Sequence, residues 1–289
     1  MHYVKTKHLI SNKNGMNIYR GCLHGCIYCD SRSKVYNMNH DFEDIEIKIN
    51  SLEILRKFLR NKNKKVMIGT GSMSDPYMPI ERELGMMRES LELIYKYGHG
   101  FTCITKSDLI LRDLDLIKKI NEKTKAVVQM TLTTSDEELC KKIEPNVCTT
   151  KERVKVLRKM NKENIPTIVW LCPILPYIND NEENINKIID YCIETNVKGI
   201  ICFGMGLTLR EGNREYFYRK LEQEFPRLKE KYKRRYKYKY ALNSPNNKEL
   251  MELFHKRTDE HNIMNNPDDI FKYLQELPQK ERFKQSTLI

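Results

Sequence analysis

Three cysteines lie close together near the start of the chain, in the segment GCLHGCIYC of residues 21–29. They are Cys22, Cys26 and Cys29, so their spacing is C-x3-C-x2-C. Thiolates this close in sequence can bind one metal centre from a single loop, and the glycines between them allow tight turns. Structural zinc sites and ordinary iron–sulfur clusters take four protein ligands, whereas only three thiols are local here. A [4Fe–4S] cluster held by three thiols would leave one iron open to a small molecule.

A zinc site is the alternative interpretation of the same loop. His24 lies between the first two cysteines and would complete a set of three thiolates and one imidazole. The other six cysteines of the chain are scattered. Cys103 and Cys202 fall within predicted strands and are expected to be inert core residues, because buried thiols behave as small apolar groups. Cys172 ends a predicted strand and is expected to point towards the site.

Short apolar runs alternate along the chain with amphipathic stretches, which predicts strands and helices in turn. The predicted strands are 16–19, 66–68, 101–105, 126–131, 167–172 and 199–203. The predicted helices that follow them are 52–60 with Ser51 as N-cap, 83–97, 111–120, 137–143 with 151–161, and 182–195. Six strand–helix units imply a parallel sheet with right-handed crossovers.

Six units are too few for a closed eight-stranded barrel. The predicted fold is therefore α/β, a partial (βα)6 TIM-like barrel with a helical C-terminal extension. We expect residues 1–205 to form the barrel core and residues 206–289 to form a mostly helical, basic extension.

In barrels of this type, the loops at the carboxyl ends of the strands carry the chemistry. The sequence places unusual polar residues at these positions. They are the three cysteines after the first strand, Ser72, Ser74 and Asp75 after the second, Thr105, Lys106 and Ser107 after the third, and Thr131, Thr133 and Ser135 after the fourth. This agreement predicts one shared site at that end of the barrel.

The cysteine loop, with the aromatic Tyr28 before its last cysteine, resembles the radical S-adenosylmethionine (SAM) superfamily. Further segments resemble landmarks of its spore photoproduct lyase-like branch, which is similar to DNA repair photolyases. They are NIYRGCLHGCIYCDSR, GTGSMSDPYMPIE, ITKSDLILRDLDLI, IEPNVCTTKERVKVLRKM and PILPYINDNEENI, in this order from residue 17 to about residue 185. The C-terminal third resembles that branch only loosely.

The resemblance implies an enzyme with two cofactors, a [4Fe–4S] cluster and SAM. In that family three cysteines hold the cluster, and its open iron chelates the amino and carboxylate groups of SAM. Electron transfer cleaves SAM to methionine and a 5′-deoxyadenosyl radical, which abstracts a hydrogen atom from the substrate. The resemblance also implies a reductant protein such as a flavodoxin or ferredoxin, but it does not identify the substrate.

Roles for individual residues also come from the resemblance, which implies that Cys22, Cys26 and Cys29 ligate the cluster. The residues implied to bind SAM are Tyr28 at the adenine, Ser74 and Asp75 at the methionyl amino group, Lys106 at the methionyl carboxylate, Thr131 at the ribose or sulfonium, and Arg153, which braces the site with Glu144. Each has a structural alternative. These are packing for Tyr28, turn formation for Ser74 and Asp75, a solvated helix start for Lys106, strand filling for Thr131, and a surface ion pair for Glu144 with Arg153.

One position departs from the spore photoproduct lyase-like pattern. Those lyases carry a cysteine three residues before the aspartate of the loop after strand two, and this cysteine returns a hydrogen atom to the product. Ser72 occupies the position here. Its O–H bond is too strong to donate hydrogen to such a carbon radical, and the neighbouring Met73 has no S–H. The sequence therefore argues against spore photoproduct repair by the familiar route.

The formal net charge is +12, from 51 Lys and Arg against 39 Asp and Glu. More than half of it lies in residues 227–240, RLKEKYKRRYKYKY, where eight basic residues and one glutamate are interleaved with four tyrosines. Basic side chains neutralise phosphates and tyrosines stack on unpaired bases, so nucleic acid is a candidate partner. The alternative is a solvated helix whose tyrosines pack onto the barrel. The competing hypothesis for the chain is a basic nucleic-acid-binding module with a structural zinc.

Composition and hydropathy argue against several other classes of protein. Hydrophobic residues make up 40% of the chain, which is enough for a core and excludes wholesale disorder. The longest apolar run, near residues 167–175, is too short to cross a bilayer, and the N-terminal residues show no signal-peptide pattern. Nine cysteines without such a signal argue against a disulfide scaffold. We expect a cytoplasmic monomer without membrane contact.

Overall fold

The computed structural model describes residues 1–278. Within them, the strands are β1 (His2–Val4), β2 (Gly15–Met16), β3 (Tyr19–Arg20), β4 (Glu46–Lys48), β5 (Met67–Thr70), β6 (Gly100–Thr105), β7 (Ala126–Thr131), β8 (Thr167–Trp170), β9 (Gly199–Ile201), β10 (Gly206–Thr208) and β11 (Ala241–Asn243). The α-helices are α1 (Ser51–Asn61), α2 (Glu81–Leu84), α3 (Met86–Tyr97), α4 (Leu114–Lys123), α5 (Glu137–Ile143), α6 (Thr150–Lys162), α7 (Glu182–Glu194), α8 (Asn213–Glu224), α9 (Leu228–Tyr236), α10 (Asn247–Glu260) and α11 (Pro267–Gln275).

The central sheet has six strands in the order β2-β5-β6-β7-β8-β9, and every neighbouring pair is parallel. The spatial order equals the chain order, and helices connect successive strands from β5 onwards. All six residues of β7 are buried, as expected for a central parallel strand covered on both faces. The predicted α/β class and the partial (βα)6 architecture are confirmed.

The helices cover the sheet with the apolar faces that the sequence pattern predicts. Leu55 and Leu59, four residues apart on α1, are both buried. Asp136 begins α5 by accepting hydrogen bonds from the backbone amides of Glu138 and Leu139, at 2.9 and 3.0 Å. No helix within residues 1–278 is long and apolar enough to cross a membrane.

Three local predictions about the first half of the chain are wrong. The predicted strand 16–19 is divided, because β2 joins the central sheet whereas β3 pairs antiparallel with β4 in a second sheet. The predicted helix 83–97 is interrupted by Gly85, whose φ of +62° ends α2 and precedes α3. The N-cap of α1 is Asn50, and Ser51 is the first residue of the helix.

The region after residue 205 contains strands as well as helices. β10 and β11 pair antiparallel, in a region that the sequence predicts to be mostly helical. The remaining elements of this region are the helices α8–α11, and residues 279–289 of the predicted extension lie outside the described residues. The boundary at residue 205 stays a prediction.

Gly71 allows the loop after β5 to lie against the end of β6. Its φ is +96°, and a Cβ at this position would overlap the carbonyl oxygen of Ile104. We expect Gly71→Ala to lower the free energy of unfolding by clearly more than Gly85→Ala, which should cost about 1–2 kcal/mol. Gly85 is the matched control because its φ is also positive, at +62°, but a Cβ there meets nothing within 4 Å. An equal loss of unfolding free energy in the two variants, measured by denaturant titration, would contradict the expectation.

Candidate active site

A cavity of about 570 Å³ opens at the carboxyl ends of the central strands. This volume lies within the range of about 300–1,000 Å³ that small-molecule sites occupy. Its walls include residues at or shortly after the carboxyl ends of β5, β6, β7 and β8, where the sequence predicts the site. The predicted site residues that line it are Cys22, Cys26, Tyr28, Cys29, Ser74, Asp75, Lys106 and Thr131.

The three clustered cysteines share one wall of this cavity. Cys22 and Cys26 are buried and Cys29 is partly exposed. The loop is held by its backbone: the amide of Cys22 donates to the carbonyl of Phe42 at 3.1 Å, and the amide of Ile27 donates to the carbonyl of Ile143 at 3.0 Å. A small ligand entering the cavity would therefore meet all three thiols.

The three sulfur atoms do not form a ready-made site for a single zinc ion. Tetrahedral zinc with Zn–S bonds of about 2.3 Å brings its thiolates to about 3.8 Å from one another. Within residues 1–278, the three sulfur atoms do not all lie within 4.8 Å of one another. The imidazole of His24, the fourth ligand of the zinc interpretation, lies with Nδ1 3.4 Å from Oδ2 of Asp75. The donor set therefore fits a [4Fe–4S] cluster.

Burial determines the protonation of the groups in this loop. It raises the pKa of the Cys22 thiol to about 12, so cluster assembly must displace a proton from that sulfur. Burial also lowers the pKa of His24, which opposes a permanent positive charge beside the thiols.

Asp75 joins two loops of the cavity wall. Its carboxylate accepts hydrogen bonds from the hydroxyl of Thr105 at 2.8 Å and from the backbone amides of Lys106 and Tyr77 at 2.8 and 2.9 Å. The hydroxyl of Ser74 donates to the carbonyl of Gly21 at the start of the cysteine loop. Both residues are buried, so they link the loops and also line the cavity.

A buried ion pair stands behind Tyr28. The phenol of Tyr28 donates to Glu144, whose other carboxylate oxygen lies 2.6 Å from the guanidinium of Arg153. Arg153 also donates to the carbonyls of Cys148 at 2.9 Å and Thr131 at 3.1 Å. The side chains of Arg153 and Glu144 are both 0% exposed, so the surface-pair interpretation is wrong. Arg153 is not among the cavity-lining residues and lies one layer behind them.

The charges around Tyr28 stabilise one another. Burial by itself would raise the pKa of Glu144, but Arg153 and Lys106 lower it below its usual value. Burial would likewise lower the pKa of Lys106, whereas Cys26 and Glu144 raise it to about 12. The ammonium of Lys106 lies 5.8 Å from the centre of the Tyr28 ring. An anionic group of a ligand would therefore meet a permanent cation at this wall.

Sequence reasoning missed an aromatic part of the wall. Trp170 ends β8 and donates from its indole nitrogen to Gln129 at 2.8 Å. Phe203 lies 6.1 Å from it and is 63% exposed at the cavity. Trp170 is the single tryptophan of the chain and falls in a predicted strand, so its type and position could have indicated it as a wall residue. Leu207 of β10 and Asn243 of β11 also line the cavity, and no local motif indicates them.

The structure also shows where Ser72 and three of the other cysteines lie. Ser72 and Cys172 both line the cavity. Cys103 lies in β6 and is fully buried, whereas Cys202 directly follows β9 and is also buried. Neither is a cavity-lining residue, which agrees with the expectation that they belong to the core.

Comparison with known proteins identifies the family. The sequence model of the radical SAM superfamily matches residues 16–192, which is more than half of the chain. The chain therefore belongs to the radical SAM superfamily. Its cofactors are those of the family, a [4Fe–4S] cluster and SAM, and such enzymes generally need an electron donor.

Two uncharacterized proteins are similar in sequence. One, from Mycobacterium tuberculosis, is 27% identical over 228 residues, and the match covers 77% of this chain and 66% of that protein. The other, from Methanocaldococcus jannaschii, is 33% identical over 169 residues, covering 58% of this chain and 62% of that protein. The chain thus spans just under two thirds of the length of these relatives.

The solved structure of a spore photoproduct lyase double mutant with bound AdoMet and dinucleoside spore photoproduct is similar in fold. Its TM-score is 0.61 at 15% identity, covering 87% of this chain and 74% of that chain. The predicted radical SAM membership and the spore photoproduct lyase-like fold are confirmed.

The ion pair behind Tyr28 generates a stability prediction. Arg153→Met leaves the carboxylate of Glu144 buried without its cation, and we expect a loss of about 3–5 kcal/mol in the free energy of unfolding. Arg158→Met is the matched control, because Arg158 lies on α6 like Arg153 and pairs at 2.6 Å with Glu194 of α7. Both side chains of this control pair are about half exposed. The control should lose far less, because water screens exposed pairs. Similar losses in denaturant titrations would show that the buried pair contributes no more than a surface pair.

Proposed function

We propose that this protein is a radical SAM enzyme whose reaction takes place in the cavity at the carboxyl ends of the strands. One observation carries the proposal: the three thiols of one short loop line the same cavity as a carboxylate, an ammonium and an aromatic ring. When bound, the reduced cluster and SAM supply a 5′-deoxyadenosyl radical that abstracts hydrogen from the substrate.

In this proposal Cys22, Cys26 and Cys29 hold the cluster, and the other wall residues orient SAM. Asp75 lines the cavity and is an anion suited to the methionyl ammonium. Lys106 attracts the methionyl carboxylate as a point charge.

Two further wall residues complete the proposed SAM site. Tyr28 offers a ring face for the adenine, and its phenol is fixed by Glu144, so the ring cannot rotate away. Thr131 brings a hydroxyl to the ribose or sulfonium end. Arg153 acts through Glu144 and Tyr28, so we propose it as a positioning residue that braces the SAM site.

Further parts of the proposal concern the reaction and its partners. Ser72 lines the cavity, so the residue at the position of the lyase hydrogen donor has no thiol, and we propose a reaction other than spore photoproduct repair by the familiar route. We propose a flavodoxin- or ferredoxin-type protein as the reductant. Cytoplasmic location and a monomeric state stay predictions.

The cofactor assignment is tested by the products of anaerobic SAM cleavage. With reconstituted cluster, SAM and dithionite, the protein should form 5′-deoxyadenosine, and Cys26→Ala should abolish both the iron and the product. Cys192→Ala is the control, because this cysteine is buried in α7 outside the cavity and should leave both unchanged. Full activity in Cys26→Ala, or stoichiometric zinc without iron in the parent protein, would favour the zinc-module hypothesis instead.

The substrate proposed for this site is nucleic acid or another polyanion. Within residues 227–240, Tyr232 and Tyr236 are buried and donate to the carbonyls of Pro176 and Asn243, as the packing alternative expects. Tyr238 is 93% exposed, so its ring is open for stacking on a base. Tyr240 is 50% exposed, and the guanidinium of Arg210 lies 5.3 Å from the centre of its ring.

The basic segment leads directly to the cavity. Tyr240 immediately precedes β11, which forms part of the cavity wall. Arg210 donates to the hydroxyl of Tyr240 at 3.0 Å and lies 3.5 Å from the carboxylate of the cavity residue Asp30. A phosphate backbone bound along residues 227–240 would therefore run towards the site of the reaction.

Salt dependence tests this proposal. If five phosphates of a single strand are contacted, the log–log slope of affinity against salt should be about −3.5. Changing Lys233, Arg234 and Arg235 together to Gln should weaken binding and reduce the slope by about 2, because three contacts are lost.

A triple change of Lys62, Lys64 and Lys65 to Gln is the matched control. It removes the same charge from the loop before β5, at the opposite end of the strands from the cavity. Equal affinity in the parent protein and the first triple variant, or equal loss in both variants, would reject the assignment to residues 227–240.

A further inference from the structure

A second cluster of metal-ligand side chains lies outside the cavity, on the three-stranded sheet β1-β4-β3. His2 belongs to β1, and His40 and Asp44 belong to the segment that leads into β4. One ligand atom from each of the three residues lies within 4.8 Å of the others, and the described residues contain no other such group. Two imidazoles and one carboxylate are ligands that zinc and similar divalent metals prefer.

The hydrogen bonding of His40 leaves one nitrogen ready for a metal. Its Nδ1 is 3.1 Å from the carbonyl of Asp41, and because a carbonyl can only accept, this nitrogen carries the proton. In the neutral ring Nε2 therefore has a free lone pair. A backbone carbonyl that fixes the tautomer in this way is the usual support of a metal-binding histidine.

The surroundings of Nε2 of His40 favour a cation. Nε2 of His40 is buried and has no hydrogen-bond partner among the described residues. The nearest charged group is the carboxylate of Glu46, with Oε2 3.5 Å away. A lone pair and a carboxylate facing each other repel, so a positive ion between them would relieve both. The second imidazole, His2, lies with its ring centre 4.7 Å from that of His40, and its Nδ1 is 3.0 Å from Oδ2 of Asp44.

We propose that His2, His40 and Asp44 bind a divalent transition-metal ion of the zinc class, with the fourth position held by water or by Glu46. The site is separate from the cysteine loop but linked to it. Phe42, within the same segment, accepts the backbone hydrogen bond of Cys22 at 3.1 Å. The ion would therefore fix the strand segment that supports the first cysteine.

Zinc titration of the cluster-loaded protein tests the proposal. The protein is prepared anaerobically without a histidine tag, since tag imidazoles bind zinc. We expect one equivalent of zinc per chain, with affinity at least tenfold weaker in His40→Asn and in Asp44→Asn. His8→Asn is the matched control, because His8 is an exposed histidine of the same N-terminal segment outside the cluster. Asp44 is 40% exposed, so its variant tests the site even if the more buried His40 is needed for folding.

The control measurements separate this site from the cysteines. Iron content and the unfolding midpoint without zinc should be the same in Asp44→Asn as in the parent protein. With cobalt in place of zinc, the absorption spectrum should lack thiolate-to-cobalt charge-transfer bands. No zinc binding beyond the cluster, equal affinity in all variants, or a thiolate spectrum would overturn the proposal. The first of these results would leave a protonated His40 paired with Glu46 as the explanation of the cluster.

Discussion

The buried ion pair of Glu144 and Arg153 is the interaction on which the arrangement of the cavity depends. A charge in the interior is tolerated only when its partners are complete, and Arg153 meets Glu144, the carbonyl of Cys148 and the carbonyl of Thr131. Glu144 in turn holds the phenol of Tyr28. Four separate parts of the chain, the cysteine loop, the end of β7, the loop before α6 and α6 itself, are therefore fixed by one pair of opposite charges. Such a pair gives little net stability, but it strongly disfavours any arrangement that separates the two charges.

The cavity is closed by parts of the chain that are distant in sequence. The ends of the parallel strands supply the polar residues, whereas β10 and β11 supply the opposite wall, with Leu207 and Asn243. The basic segment 227–240 is placed at the rim because it directly precedes β11. Two of its tyrosines are used as packing groups and two are exposed, so the segment is both part of the fold and a candidate binding surface. Charge is thereby brought near the cavity by the segment that directly precedes the closing strand β11.

A second support of the cysteine loop comes from the small sheet. β3 belongs to this small sheet and ends immediately before Gly21. The φ of Gly21 is +86°, and a Cβ at this position would overlap the carbonyl oxygen of Phe42. This close approach allows the amide of Cys22 to bond to that carbonyl. The segment around Phe42 also carries His40 and Asp44. The residues proposed to bind a second metal are thus only a few positions from the backbone that supports the first cluster cysteine.

The sequence by itself determined the strand–helix alternation, the class of fold and the family. The spacing of apolar residues, the spacing of the cysteines and the polar residues after each strand are all local properties of the chain. The sequence also determined which strand ends carry the polar residues, and the structure brings Cys22, Asp75 and Lys106 to one cavity. Only the tertiary structure decided that Arg153 is buried behind Tyr28 rather than exposed, since burial depends on contacts between distant segments. The same reason explains the split of the first strand between two sheets, the pairing of β10 with β11, and the meeting of His2 with His40. Each of these depends on which segment lies opposite, and the local pattern carries no information about that partner.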